Sequence, residues 1–283
     1  MIDAHHHLWQ LARGDYGWIG GGLDPALAPI ERDYLVADYQ ALACANGVTG
    51  SIVVQAAQTV AETRWLLEQA RASRGLIEGV VGWIDMTAAD APDLLADLAR
   101  DPLLRAIRPM LQEIADVDWV LQPKLIPALR AVMALDLSFD LLVRPRHLKA
   151  ALALLTRHPE LRAVIDHGAK PDIANGMWQP WAEDMRRIAR ETAACCKLSG
   201  LVTEARAGWK TADLRRYVGH LIECFGAQRL LWGSDWPVML LNGNYEGWIG
   251  ATKQLLAELT AAEQAAILGE NAMFFYRLPV KTP

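Results

Sequence analysis

Residues 51–84 read SIVVQAAQTVAETRWLLEQARASRGLIEGVVGWI, and the order of apolar runs in this stretch decides the fold. "SIVVQ" and "GVVGWI" are nearly continuous apolar segments, the composition of parallel strands covered on both faces. Residues 61–73 between them carry a helical pattern. The unit is strand, helix, strand, and it repeats in both directions along the chain. Strands are predicted at Ile2–Leu8, Ser51–Gln55, Gly79–Ile84, Arg105–Arg108, Ser138–Val143, Ala163–His167, Cys195–Ser199 and Leu230–Ser234. Helices are predicted at Ala61–Ser73, Ala91–Arg100, Leu121–Ala134, His147–His158, Trp181–Thr192, Thr211–Phe225 and Tyr245–Glu258. In His147–His158, Leu148, Ala151, Leu152 and Leu155 share one face while Arg146, Lys149 and Arg157 lie elsewhere. Eightfold alternation fits a closed (β/α)₈ TIM barrel of the α/β class better than an open sheet. No GxGxxG follows the first strand, which argues against a dinucleotide-binding domain.

The whole chain, residues 1–283, is read as one barrel domain, since such barrels hold roughly 250 residues. Twenty-eight Lys and Arg against 33 Asp and Glu give a net charge of −5, with no basic run along which a phosphate backbone could lie, so nucleic acid is not an expected partner. No apolar run approaches the about 20 residues a membrane span needs, and the polar "DAHHHLW" from residue 3 leaves no room for a secretory signal. A soluble, cytoplasmic protein is expected, and self-association is left open. Cys44, Cys195, Cys196 and Cys224 match neither a disulfide framework nor a zinc spacing and read as reduced thiols.

Strand one carries the first chemical signal. Asp3, His5 and His7 alternate, so a period of two sends all three to the lumen and His6 to the other side. His167 ends "RAVIDHG" and Asp235 ends "RLLWGSD", each at the carboxyl end of its strand, where barrel enzymes place reactive groups. His147, His158 and His220 lack such positions and read as structural. Gln55, Trp83, Arg108, Lys170 and Ser199 lie at or just past strand ends and are candidates for substrate contacts. Arg108 and Lys170 are the cations placed to meet a carboxylate. Trp9, Trp83, Trp232 and Trp236 near strand ends suit a sugar-like ligand, with core packing as the plainer role for most of the eleven tryptophans. The loop Gln10–Asp38, carrying Tyr16 and Trp18, is expected to cover the cavity.

The motifs "IDAHHHLW", "DYGWIG", "VVQA", "GVVGWID", "VIDHGAKP", "KLSGL" and "GSDWPV", spread over residues 2–238, resemble the amidohydrolase superfamily. The likeness is to its branch of lactonases for sugar acids and cyclic esters, the L-fucono- and L-rhamnonolactonase group. It implies a barrel of the metal-dependent hydrolase type, with the family motif carried onto His5, His7, His167 and Asp235. Members with two metals add a bridging Lys or Glu on strand four and a His on strand five. Here strand four ends at Arg108-Pro109 and strand five at Val143-Arg144. The expectation is one divalent metal, zinc foremost, on His5, His7, His167 and Asp235, with metal-free operation the other version. Asp235 is then the general base that activates water, and His5, His7 and His167 polarise the carbonyl or hold the metal. The expected reaction opens an aldono-1,4- or 1,5-lactone to the free acid in sugar-acid catabolism. The alternatives are a metal-dependent decarboxylase of an aromatic acid and a catalytically silent sugar-binding barrel.

Overall fold

The computed structural model describes residues 1–19 and 24–279. Eight strands form one sheet in sequence order, β1 (Ile2–His6), β2 (Gly50–Val54), β3 (Ile77–Gly82), β4 (Leu104–Ile107), β5 (Ser138–Leu141), β6 (Ala163–Ile165), β7 (Cys195–Leu198) and β8 (Leu230–Trp232). Every neighbouring pair is parallel. The last meets the first just past β8: the Asp235 N–H donates to His5 O at 2.7 Å and the His7 N–H to Trp236 O at 2.6 Å. The sheet is thus a barrel, as the alternation predicts.

Each strand stops one or two residues before its predicted carboxyl end. The residues shed this way include His7, Gln55, Trp83, Arg108, His167 and Ser199. Pairing does not stop abruptly at these ends: the Gln55 N–H still donates to Val81 O and the Arg108 N–H to Gly82 O, both at 2.9 Å, so these residues stay on the barrel wall at its carboxyl rim.

A bulge corrects the reading of strand one. Asp3 pairs with Ser51 and His6 with Val53, so three steps of β1 face two of β2. One extra residue exchanges the two faces. Ile2 and Ala4 pack with lumen residues of other strands, while Asp3 accepts the hydroxyls of Tyr39 at 3.0 Å and Tyr245 at 2.9 Å, on the helical layer. His5 and His7 face inward as expected. His6 stacks on Tyr39 with ring centroids 3.7 Å apart.

The helical layer comprises α1 (Val36–Ala45), α2 (Val60–Ala72), α3 (Ala91–Leu98), α4 (Ile126–Ala134), α5 (Leu148–Arg157), α6 (Trp181–Glu191), α7 (Thr211–Phe225) and α8 (Tyr245–Leu255). The first of these begins inside the segment predicted as loop. The predicted helix Leu121–Ala134 starts five residues late, after two short turns at Trp119–Leu121 and Pro123–Leu125. Pro123 and Pro127 lack the N–H that a helix interior needs, so they serve only at helix starts. Beyond the predicted elements, α9 (Ala261–Ala265) and α10 (Asn271–Phe275) follow. Phe275, Tyr276 and Leu278 pack with Ile2, Ala4, Val54, Val81 and Leu231 to close the barrel's amino end.

Candidate active site

His5 lies in β1, and His7 lies just beyond it. The β6 strand ends in a turn where His167, Gly168, Ala169 and Lys170 all take left-handed backbone, with φ of 54°, 56°, 62° and 50°. Its Lys170 N–H donates to His167 O at 2.9 Å, and Trp181 Nε1 anchors it by donating to Gly168 O at 2.7 Å. Left-handed residues with a Cβ are unfavourable by roughly 1–2 kcal/mol each, so surrounding contacts must hold this turn. It aims His167 and Lys170 into the same cavity. Asp235 is left-handed too, with φ of 59°.

These residues converge. Asp235 Oδ1 lies 3.3 Å from His7 Nε2, 3.7 Å from His5 Nε2 and 3.9 Å from His167 Nε2. A cavity of about 580 Å³ opens above them, lined also by Arg108, Arg144, Lys170 and Glu204. Asp15, Gly17, Trp18 and Leu27 of the 10–38 segment line it as well, and Trp18 Nε1 donates to Ala56 O at 2.7 Å. The segment therefore borders the cavity; residues 20–23 of it lie outside the described residues.

The other candidates divide. Arg108 and Lys170 line the cavity. Ser199 Oγ lies 2.8 Å from His167 Nδ1 and orients that ring. Gln55 Nε2 donates to Arg108 O at 2.8 Å, tying β2 to the end of β4. Trp83 faces an adjoining recess that shares Gln58 and Met110 with the cavity. Trp9, Trp232 and Trp236 are buried in the core; among the tryptophans of the described residues, Trp18 lines the cavity.

Sequence reasoning missed the layer beneath. Lys197 on β7, Asp140 on β5 and Asp166 beyond β6 are fully buried around His5, and Arg108 Nη1 lies 3.3 Å from Asp166 Oδ2. The available signal was a charged residue inside an apolar strand, as in "CCKL" and "SFDL". Arg144 and Glu204, which also line the cavity, sit in loops and carried no such signal.

Burial sets most of the electrostatics. Burial and then Lys197 hold His5 well below the usual histidine range, and burial brings His167 down to about 4, so both rings are neutral at pH 7. Burial works against ionisation of Asp235, yet His167, His7 and Lys170 together keep its carboxyl below the ordinary value. Asp166 is likewise opposed by burial but held well down by Lys197 and His5. Asp235 is thus a carboxylate facing imidazoles.

The residues fit one small cation. Ligand atoms of His5, His7 and Asp235 lie within 4.8 Å of one another. His7 Nδ1 lies 2.8 Å from Val54 O, which can only accept, so Nδ1 carries the proton and Nε2 a lone pair. That lone pair faces a carboxylate oxygen at 3.3 Å, and two acceptors so close require a proton or a cation between them. An imidazole pair with a carboxylate suits a zinc-like ion.

Histidines and an aspartate that meet at the carboxyl ends of β1, β6 and β8 stand where enzymes of this fold place their active sites. The chain belongs to the amidohydrolase family, whose model matches residues 2–278. It is 44% identical over 281 residues to an L-fucono-1,5-lactonase of Burkholderia ambifaria, spanning 98% of this chain and 95% of that protein. A second L-fucono-1,5-lactonase, from Burkholderia multivorans, is 37% identical across 98% of this chain and 96% of its own length. A crystal structure of an amidohydrolase from Burkholderia multivorans with bound zinc superposes with a TM-score of 0.91 at 34% identity, covering 98% of this chain and 99% of that one.

Proposed function

We propose that this protein is a lactonase that opens a sugar-acid 1,5-lactone, of the L-fucono- or L-rhamnono-type, to the free acid. The observation that carries the reading is Asp235 Oδ1 facing three imidazoles at 3.3–3.9 Å beneath a cavity with three cations on its walls. The two L-fucono-1,5-lactonases named above act on such a lactone. Asp235, ionised at neutral pH, takes the proton of the attacking water. A ring N–H from the histidine cluster donates to the oxygen that gains charge as the carbonyl is attacked. Asp235 then holds the proton that the departing ring oxygen needs. Arg108, Arg144 and Lys170 receive the carboxylate product. His7 and Asp235, with His5, would hold a zinc-like ion, which when bound polarises the carbonyl and lowers the pKa of water to about 7.

The walls favour this over the decarboxylase alternative. Among the described residues lining the cavity, Trp18 is the one aromatic besides histidine, whereas an aromatic acid asks for a flat apolar slot. The convergence of all four predicted residues speaks against a silent barrel. Four free thiols suit a reducing compartment, in line with sugar-acid catabolism in the cytoplasm.

The test is a pH-indicator assay on a panel of L-fucono-, L-rhamnono- and other aldonolactones, with and without chelator, on the wild type and Asp235→Asn. The wild type should turn over at least one lactone, and Asp235→Asn should lose about 10²–10⁴-fold in kcat. More than about a tenth of wild-type kcat in that variant would remove Asp235 as base.

A further inference from the structure

Lys197 belongs to no step above, yet its surroundings are tightly constrained. Its ammonium is fully buried, 2.5 Å from Asp140 Oδ2, 3.0 Å from Asp166 Oδ1 and 3.0 Å from His5 Nδ1. Its hydrogen bonds go to Asp140 Oδ2 and His5 Nδ1, and Asp166 Oδ1 is its ion-pair partner. Asp140 Oδ2 also accepts the Tyr276 hydroxyl at 2.7 Å. In this layer Lys197 and Arg108 balance Asp140 and Asp166. A proton on His5 Nδ1 would point at the ammonium 3.0 Å away, so that nitrogen is bare and His5 is neutral with one proton. An ammonium only donates, so Nδ1 accepts and the proton is on Nε2. His5 Nε2 faces Asp235 Oδ1 at 3.7 Å. Arg108 Nη1 is within hydrogen-bond distance of that nitrogen as well, at 3.4 Å, and of Asp166 Oδ2 at 3.3 Å; with a donor facing each ring nitrogen, the shorter 3.0 Å Lys197 contact decides the tautomer and Arg108 turns to Asp166.

We infer that Lys197 is a positioning residue that fixes His5 as the Nε2–H tautomer and makes it an N–H donor aimed at the centre of the cavity. Two residues on, His7 has the opposite tautomer, because Val54 O takes its Nδ1 proton at 2.8 Å. One strand end thus presents a donor and an acceptor side by side. A hydrolytic site needs both, one for the developing oxyanion and one for a proton or a cation. The inference rests on the proposed active site but not on its substrate. It also bears on metal affinity: His5 Nε2 can coordinate an ion only if the proton moves to Nδ1, where Lys197 now donates. Removing the ammonium would let Nδ1–H turn to Asp166 Oδ1, 3.6 Å away.

The test is ¹⁵N NMR of the purified protein labelled at histidine, in metal-free buffer, with the His5 signals identified by their loss in His5→Gln. The wild type should show the Nε2–H pattern at His5; an Nδ1–H pattern would overturn the inference, whether or not any lactone is turned over. Lys197→Met should switch His5 to Nδ1–H and bind added zinc at least about tenfold more tightly. With a substrate in hand it should lose about 10²-fold in kcat, the usual effect of one missing oxyanion donor, with KM within about threefold. Lys197→Arg, which keeps a donor, should retain the wild-type pattern and most of kcat. An unchanged His5 signal in folded Lys197→Met would assign Lys197 a purely structural part. Should Lys197→Met fail to fold, the wild-type spectrum alone decides.

Discussion

At the amino end of the barrel, Ile2, Ala4, Ile52, Val81, Ala106 and Leu231 close around Phe275 and Tyr276 in an apolar plug, from which the Tyr276 hydroxyl reaches Asp140 Oδ2 at 2.7 Å. At the carboxyl end the same eight strands terminate in His5, His7, Arg108, His167 and Asp235, with Lys197, Asp140 and Asp166 just beneath. Left-handed backbone occurs at both ends, at Arg74, Asp136 and Arg277 as well as at His167, Ala169, Lys170 and Asp235, but of these only His167, Lys170 and Asp235 line the cavity, and register shifts interrupt the β1–β2, β2–β3 and β3–β4 pairings alike. One end gains stability from apolar burial, and the other holds buried charges and strained turns that burial alone disfavours. Stability and chemistry are thus separated along the barrel axis except where Tyr276 touches Asp140 and Lys197, so the Phe275 side chain can be disturbed without the site.

Phe275→Ala should give the largest effect and test the plug. Phe275 is 3% exposed in the lumen cluster, so its truncation should lower stability by about 3–5 kcal/mol and Tm by roughly 10 °C. Activity per folded molecule should be unchanged. A fall in kcat at low temperature, where the variant is folded, would show that the two ends are coupled.

A smaller effect separates the ends by pH. His167 titrates near 4 when folded because burial disfavours its charged form, against about 6.5 in an unfolded chain. Below pH 6.5 the unfolded chain takes up a proton that the folded one refuses. The stability this group contributes is therefore complete above 6.5 and is lost as pH falls towards 4, by about 3 kcal/mol in all. Thermal melts of His167→Gln should show a shallower loss across that window than the wild type, and parallel curves would contradict the buried neutral ring. Phe275→Ala should shift the wild-type curve downward without changing its shape.

Gly200→Ala should act on the carboxyl end alone. Gly200 has a φ of 60°, and a Cβ there would come within 2.6 Å of His167 Nδ1 and 3.0 Å of Asp235 Oδ2. The two groups must move apart by a fraction of an ångström, a shift that disturbs catalytic geometry by about 100-fold in kcat/KM. Lactone turnover and thermal melts of the same preparation would check this, with a Tm within a few degrees of wild type expected. Full activity would mean that His167 and Asp235 tolerate displacement.

Much of this was legible in the sequence for a local reason. Alternation of apolar strand and amphipathic helix is written in consecutive residues, so the barrel and the placing of His5, His7, His167 and Asp235 at strand ends follow from pattern alone. The final helical run was missed because a π-helical turn at Ala266–Glu270 joins α9 to α10 and interrupts the regular period of Ala261–Phe275. Asp3 was misplaced because a bulge is a one-residue event in the pairing of β1 with β2, and residue order carries no trace of that register. Lys197 on β7, Asp140 on β5 and Asp166 just beyond β6 are far apart along the chain, and their common purpose exists only where barrel closure brings them around His5. Residue order by itself determined the fold and which side chains could react; tertiary contact alone decided their protonation, because a proton's position depends on neighbours in space rather than along the chain.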